Sequence, residues 1–362
     1  MSSFPGTRPG SIIEQIRHST HQTQPPKLVE CQSQSDLAVR FDPVMISVVI
    51  PAYNAAATIQ ATVDSVLQQT VCPFEILILD DGSTDSTPSL LKRYEPRVSV
   101  VRQENSGVAA ARNALCELAR GDLVAFLDHD DLWHPRYLEV QSRLFAKYPD
   151  ASAFFTGHTN FTGYGHYEWR RESFGVPAST ELIDPVSFLR RYNESTGDFA
   201  SMSYCCIPKR VLAELGSEPF CLAGVDDSYL CTRLPLLLRP VVYTQLSLVA
   251  YRITGKSQSV NRLKTYGFWV DVFRMLEPLY VCQDTALLHA FRLAFASRRR
   301  QFAKVLMTAG RVADARRELR LSMNESHEPQ SLAKSLGLLL ASYMPSPLQP
   351  VWRPIQRSED GR

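Results

Sequence analysis

The segment Ile46-Ser47-Val48-Val49-Ile50 is almost wholly apolar and β-branched, and it stops at Pro51. A run without polar alternation is what a strand covered on both faces requires, so it predicts a buried parallel strand rather than a surface hairpin. A loop at 52–55 follows. Ile59, Val63, Val66 and Leu67 then recur at helical spacing before a second buried run at 74–79, which ends in Asp80-Asp81-Gly82-Ser83. That is a βαβ unit. The rhythm continues with a helix capped near Ser83 to Asp85, a strand at 98–102, a helix at 106–119 closed by Gly121, and a strand at 123–127. Alternation of this kind specifies an α/β fold with a mostly parallel central sheet and helices on both faces.

Pro135 suits the first turn of a further helix, with Leu138, Leu144, Phe145 and Tyr148 in step, and a strand is expected near 151–156. Residues 157–203 are rich in Gly and aromatics such as Tyr164, Tyr167, Trp169 and Phe174, and they read as long loops that shape a substrate cleft. Beyond about residue 262 strand signals vanish, and 268–344 reads as amphipathic helices, among which 302–319 looks like half of a helical repeat turning at Gly310. The expected organisation is a disordered leader at 1–42, a catalytic domain at 43–262, a helical extension at 263–344 and a flexible tail at 345–362.

Charge and cysteine content narrow the function. Lys plus Arg number 39 against 37 Asp plus Glu, so no global field favours nucleic acid. The eight cysteines include no Cys-x-x-Cys pair and no zinc-like spacing, which fits buried thiols in a reducing compartment. The N-terminus lacks a basic start followed by an apolar run, and the apolar stretch at 336–344 falls far short of the ~20 residues that span a bilayer. A cytoplasmic protein is expected, with peripheral membrane contact through the C-terminal helices and the basic run Arg298-Arg299-Arg300 as one role for the extension. The sequons at Asn160, Asn193 and Asn324 are read as chance.

In an open parallel sheet, ligands bind beyond the carboxyl ends of the strands. There the sequence places Pro51-Ala52-Tyr53-Asn54, Asp80-Asp81-Gly82-Ser83-Thr84-Asp85, and Asp128-His129-Asp130-Asp131. Carboxylates crowded on one edge repel unless a cation neutralises them, and oxygen ligands suit a hard ion such as Mg²⁺ or Mn²⁺. Asp85 reads equally well as a helix cap. No Gly-x-Gly-x-x-Gly follows the first strand, which excludes the usual nicotinamide site, and the Gly255-Lys256-Ser257 run lacks the opening glycine of a phosphate loop.

Taken in order, Ser47 to Asn54, Leu79 to Asp85, Asn105-Ser106-Gly107 with Ala111-Arg112-Asn113, Phe126 to Asp131, Val225-Asp226-Asp227 with Arg233, and Tyr251-Arg252 with Ser257 and Ser259 resemble the bacterial family 2 glycosyltransferases of GT-A fold. The likeness covers roughly residues 45–262. It implies an inverting hexosyl- or N-acetylhexosaminyl-transferase that uses a nucleotide-diphosphate sugar, most commonly a UDP-sugar, and a carbohydrate, lipid-linked or protein acceptor.

Carried over by position, the resemblance gives Pro51, Ala52 and Tyr53 contact with the nucleobase, with Tyr53 as a stacking face. Asp81 would accept from uracil or ribose, and Arg112 would serve the donor. Asp128-x-Asp130 would hold the metal across the diphosphate, with Asp131 extending it. Asp227 would be the base, with Asp226 as rival, although two acids also suit a helix N-terminus through its dipole. The family often places His after Tyr251-Arg252, where this chain has Thr254-Gly255-Lys256. Two alternatives remain: a metal-dependent nucleotidyltransferase, against which the absence of glycine at 52–57 counts, and a catalytically inactive nucleotide-sugar-binding module.

Overall fold

The structure is a computed structural model and describes residues 44–164, 167–169, 180–194, 199–221, 225–253 and 261–344. The expected leader and tail, Phe174, and the segment with Lys256, Ser257 and Ser259 lie outside the described residues. In chain order the elements are β1 (Ile46–Ala52), α1 (Ile59–Leu67), β2 (Glu75–Asp80), α2 (Thr87–Leu91), β3 (Ser99–Arg102), α3 (Val108–Leu118), β4 (Leu123–Phe126), β5 (Leu132–Trp133), α4 (Tyr137–Lys147) and β6 (Ala153–Phe161). They continue with β7 (Thr180–Ile183), α5 (Pro185–Glu194), β8 (Cys205–Pro208), α6 (Lys209–Glu214), α7 (Asp226–Arg233), β9 (Val241–Arg252), α8 (Arg262–Val281), α9 (Thr285–Thr308), α10 (Val312–Glu325) and α11 (Pro329–Ala341).

The chain divides into two compact units. The first comprises Met1–Glu181, Met202–Phe220 and Val242–Ile253, and the second Leu182–Ser201, Cys221–Val241 and Thr254–Arg362. Leu182–Ser201 and Cys221–Val241, inside the expected 43–262 domain, thus group with the C-terminal helices.

The sheet runs β3-β2-β1-β4-β8-β6-β9-β5, with β7 paired to β9. Its first four strands are parallel, with Val49 opposite both Leu77 and Phe126. β4 meets β8 antiparallel, as β6 meets β8 and β5 meets β9. All seven residues of β1 are buried, as a strand flanked on both sides and covered on both faces must be. Its one polar member, Ser47, is satisfied by donating to Glu75 Oε1 at 2.7 Å and accepting from the Gly121 N–H at 2.8 Å. Gly121 is required by this junction rather than by helix closure. α3 ends at Leu118, and a Cβ on Gly121 would lie 2.6 Å from the Met45 carbonyl oxygen.

The region at 157–203 contains more regular structure than expected. β6 continues to Phe161, and Gly157 lies so close to β9 that a Cβ would fall 2.9 Å from the Gln245 carbonyl oxygen. That proximity joins residues 88 positions apart in sequence, so no local periodicity announces it.

The second unit is helical around Phe273, Tyr280, Phe291 and Phe295, with Leu189 of α5 in the same core. Tyr280 and Phe291 stack with ring centroids 4.0 Å apart. Arg298 and Arg299 are buried here, which corrects the expectation of a basic surface run. Arg299 pairs with Glu318 at 2.6 Å and Glu325 at 3.0 Å because α9 is covered by neighbouring helices, including α10, which carries both acids. Leu336 and Leu340 of α11, and Tyr343 and Met344 after it, are exposed. Among the described residues, no helix is long and apolar enough to cross a membrane.

One buried histidine makes the first unit pH-sensitive. His134 donates its N–H to the Leu248 carbonyl at 2.8 Å, accepts from the Arg136 N–H at Nδ1 at 3.0 Å, and its carbonyl takes Gln69 Nε2 at 2.8 Å. Burial, with the Arg136 charge adding to it, pushes its pKa down to about 4. An unfolded histidine titrates near ~6.5, so between these values the unfolded chain binds the proton more tightly and stability falls as pH drops. Urea unfolding at pH 7 and pH 4.5 should show His134→Asn losing less stability than the wild type, by on the order of 1–3 kcal/mol. Equal losses would remove His134 as the source.

Candidate active site

The site is built on the carboxyl ends of the parallel strands. β1 delivers Pro51 and Ala52, both buried and in register with Leu79 and Asp80 of β2, and then turns so that Tyr53 is exposed. Asn54 makes this turn in the left-handed region, with φ 48°, a conformation that Asn tolerates because its side chain bonds locally. Its Oδ1 accepts from the Thr84 N–H at 2.8 Å, and its own N–H donates to Ser83 Oγ at 2.9 Å. The ends of β1 and β2 are thereby locked together. Asp80 supports the same turn, accepting the Ser83 N–H at 2.9 Å and facing Arg102 at 3.4 Å.

Asp81 is buried and anchors the loop before α3. Oδ1 accepts from Gln103 Nε2 at 2.7 Å and the Ser106 N–H at 2.9 Å, while Oδ2 accepts from the Gly107 N–H at 2.8 Å. A carboxylate offers about four acceptor positions, so Oδ2 retains capacity for one more donor. Gly82, with φ 74°, is demanded by this approach because a Cβ would lie 2.8 Å from the Asn105 nitrogen. Asp85 takes the plainer role, with Oδ1 accepting the Thr87 N–H at 2.9 Å and Oδ2 the Ala56 N–H at 3.1 Å.

The turn after β4 carries the acids. Asp131 donates its N–H to the Asp128 carbonyl at 3.2 Å, and Thr62 Oγ1 donates to the carbonyls of His129 and Asp131, each at 2.9 Å. Asp128 donates its N–H to Ser203 Oγ at 3.1 Å, and its carboxylate pairs with the buried Arg112 of α3, whose guanidinium lies 5.7 Å from the Phe220 ring centre. Arg252 closes the turn from β9. Its N–H donates to Asp131 Oδ1 at 2.8 Å, its Nε donates to the Asp130 carbonyl at 2.6 Å, and its Nη1 reaches the Gly163 carbonyl.

Burial, with the neighbouring acids adding to it, pushes the Asp131 carboxyl well above the usual carboxylate range, and Asp130 is raised for the same causes. Asp131 is fixed in the fold. Asp130 is only partly buried, and among the described residues no other residue hydrogen-bonds its carboxylate.

This donor set fits a hard divalent cation. Among the described residues no group of three or more His, Cys, Asp or Glu side chains converges as a metal cluster. A Mg²⁺ shared with substrate phosphates needs only one or two protein carboxylates, which Asp130 with Asp128 beside it can supply.

The remaining predicted residues lie in the second unit. Asp226 and Asp227 open α7, with Asp226 buried and Asp227 partly so, and Asp227 Oδ1 accepts the Ser228 N–H at 2.7 Å. Ser203 and Thr62 had no sequence signal, since each reaches the acidic turn from a distant segment. Arg252 was visible only as part of a motif.

A parallel β3-β2-β1-β4 array with acidic turns at its carboxyl edge, extended by antiparallel strands, defines the GT-A-like class of α/β fold. The structure of S. aureus TarS residues 1–349, solved with UDP-GlcNAc, superposes with a TM-score of 0.62 at 16% identity, covering 82% of this chain and 90% of that one. Residues 47–216 match the family described as Glycosyl transferase family 2, and this segment is a family 2 glycosyltransferase domain of bacterial type. The chain is 39% identical over 109 residues to the Escherichia coli UDP-Glc:alpha-D-GlcNAc-diphosphoundecaprenol beta-1,3-glucosyltransferase WfgD, covering 30% of this chain and 43% of that protein. It is 36% identical over 139 residues to the chondroitin synthase of Pasteurella multocida, covering 35% of this chain and 14% of that protein. It thus spans less than half the length of these relatives.

The Asp81 anchor is directly testable. Asp81→Asn replaces one acceptor oxygen with an amide donor that meets a backbone or side-chain N–H, leaving at least one buried donor unpaired at a cost of about 1–3 kcal/mol. Hydrogen exchange should show the Ser106 and Gly107 amides losing protection ahead of the β1 and β2 core. Unchanged exchange at both amides would contradict the anchoring role.

Proposed function

We propose that this chain is an inverting glycosyltransferase that moves a hexosyl or N-acetylhexosaminyl group from a UDP-sugar to an acceptor hydroxyl. The observation that carries this reading is the assembly of Tyr53, Asp81, Asp128 and Asp130 at the carboxyl edge of β1, β2 and β4 within a family 2 domain. In this reading Tyr53 lays its exposed ring against uracil, above the strand end formed by Pro51 and Ala52, and Asp81 accepts from uracil or ribose through Oδ2. Arg112 orients Asp128. Asp130, with Asp128 beside it and Asp131 bracing the turn, would hold Mg²⁺ or Mn²⁺, which neutralises the departing diphosphate.

Asp227 acts as the general base. It takes the proton from the acceptor hydroxyl as that oxygen bonds to the anomeric carbon, while the bond to the diphosphate breaks on the opposite face and the configuration inverts. Asp226 is buried and suits the start of α7 through the helix dipole. The name of the E. coli relative favours a lipid-linked carbohydrate acceptor over a protein. The exposed Leu336, Leu340, Tyr343 and Met344 are the surface proposed to touch a membrane carrying it.

Calorimetry should find metal-dependent UDP binding that exceeds binding of GDP or dTDP; equal binding of the three would overturn the uridine assignment. UDP release from UDP-glucose and UDP-N-acetylglucosamine should stop on chelation, and Asp130→Ala should lose the metal response. Asp227→Asn should keep UDP binding and lower turnover by ~10² to 10⁴. Near-normal turnover in Asp227→Asn with loss in Asp226→Asn would move the base to Asp226.

A further inference from the structure

Three features of the second unit are left unexplained by the fold alone: a buried arginine with no acid in contact among the described residues, a buried tyrosine hydroxyl aimed at α7, and the partly buried Asp227 that opens α7. Arg298 lies on α9 and is 5% exposed. Its Nε donates to Asn193 Oδ1 at 2.9 Å and its Nη1 to Gln301 Oε1 at 3.2 Å, both neutral amides. Among the described residues no carboxylate lies within ion-pair distance of it, whereas Arg299, one position later, contacts two. A buried cation is costly unless opposite charge or π electrons offset it. The Trp269 ring centre, 4.3 Å from the guanidinium carbon, supplies part of that offset.

The rest points toward α7. Asn193 is itself buried and held by donating Nδ2 to the Leu189 carbonyl at 2.8 Å, so Arg298 and α5 are rigidly joined. On the same helix Tyr192 lies 5.9 Å from the Arg298 guanidinium, and its hydroxyl meets Ser228 Oγ at 2.9 Å. Ser228 donates its N–H to Asp227 Oδ1 at 2.7 Å. A continuous set of buried contacts therefore runs from Arg298 through Asn193, Tyr192 and Ser228 to the Asp227 carboxylate.

Among the described residues, the groups that act on that carboxylate include its neighbour Asp226 and Cys231 on α7, Tyr192 on α5 and Arg298 on α9, and Tyr266 on α8 acts on Arg298. Burial keeps Tyr192 and Cys231 neutral, and among the described residues Asp226 and Arg298 are two charges of opposite sign that act on Asp227. Asp226 repels ionisation of its neighbour and Arg298 favours it.

We infer that Arg298 is a positioning residue for Asp227: its buried charge holds that carboxylate ionised beside Asp226, and its bond to Asn193 fixes α5 so that Tyr192 and Ser228 set the carboxylate's orientation. The inference rests on the reading of Asp227 as base, but the electrostatic coupling can be measured without substrate. The full chain is labelled with ¹³C-carboxyl aspartate, and the resonance missing in Asp227→Asn is assigned to Asp227. Its titration midpoint should rise by about one unit in Arg298→Met and stay within a few tenths in Arg298→Lys, which keeps the charge. UDP release should show the acid limb of its pH profile moving upward in Arg298→Met by the same amount, with UDP binding unchanged.

A purely structural Arg298 would lower activity equally at every pH in both variants and leave the Asp227 midpoint in place; that result overturns the inference. If Arg298→Met fails to fold, Tyr192→Phe removes only the hydroxyl link, and it should lower kcat severalfold without changing the donor KM. Wild-type kcat in that variant also overturns the inference. A shifted Asp227 midpoint with full turnover in Asp227→Asn would sustain the coupling and refute the base assignment, which separates the two failures.

Discussion

Placing several carboxylates in one buried turn is unfavourable, and the first unit is organised around making it tolerable. Asp128, Asp130 and Asp131 occupy four consecutive positions with His129, and burial plus repulsion from the neighbouring acids disfavours the ionised forms of Asp130 and Asp131. Arg112 neutralises Asp128 from α3, and Arg252 ties both Asp131 and the Asp130 backbone from β9. Ser203 and Thr62 satisfy the backbone of the same turn. Asp130 is the member left with a carboxylate no other described residue hydrogen-bonds, which is the arrangement a cation shared with a diphosphate would complete.

The β1 and β2 edge is stabilised by different means. Here the polar groups are short and local: Asn54 to Thr84, Ser83 to Asp80, Asp81 to the loop before α3. Each satisfies backbone N–H groups that would otherwise be orphaned at a strand end. A rigid edge of this kind leaves Tyr53 exposed while its neighbours Pro51 and Ala52 are locked in the sheet. In the second unit the recurring device is the buried arginine, paired with acids at Arg299 and held by amides and rings at Arg298.

The parallel half of the fold was legible because its signals are local. β1, β2 and β4 are continuous apolar runs, the intervening helices keep a 3.6-residue period, and the polar residues fall where the strands end. The family motifs added order to the same positions, so Tyr53, Asp81, Arg112 and the acids after β4 could be named before any contact was known. The antiparallel half was less legible. β6, β8 and β9 pair across long separations in sequence, and a strand whose partner lies far away carries no sign of it in its own composition. The same holds for α5 within the segment read as loops, whose apolar face is explained by the helical core it joins.

The sequence by itself determined the residue types at each strand end and the alternation that brings those ends to one edge, because both depend on spacing of a few residues. Tertiary structure alone decided what each acid does. Asp131 Oδ1 is taken by Arg252, and Asp81 holds the loop before α3 with Oδ2 still open to one more donor, while no other described residue hydrogen-bonds the Asp130 carboxylate; that difference arises from partners 22 to 121 residues away. It also decided that Arg298 and Arg299 are interior residues, since burial of a charged run depends on whether neighbouring helices close over it and supply acids or amides.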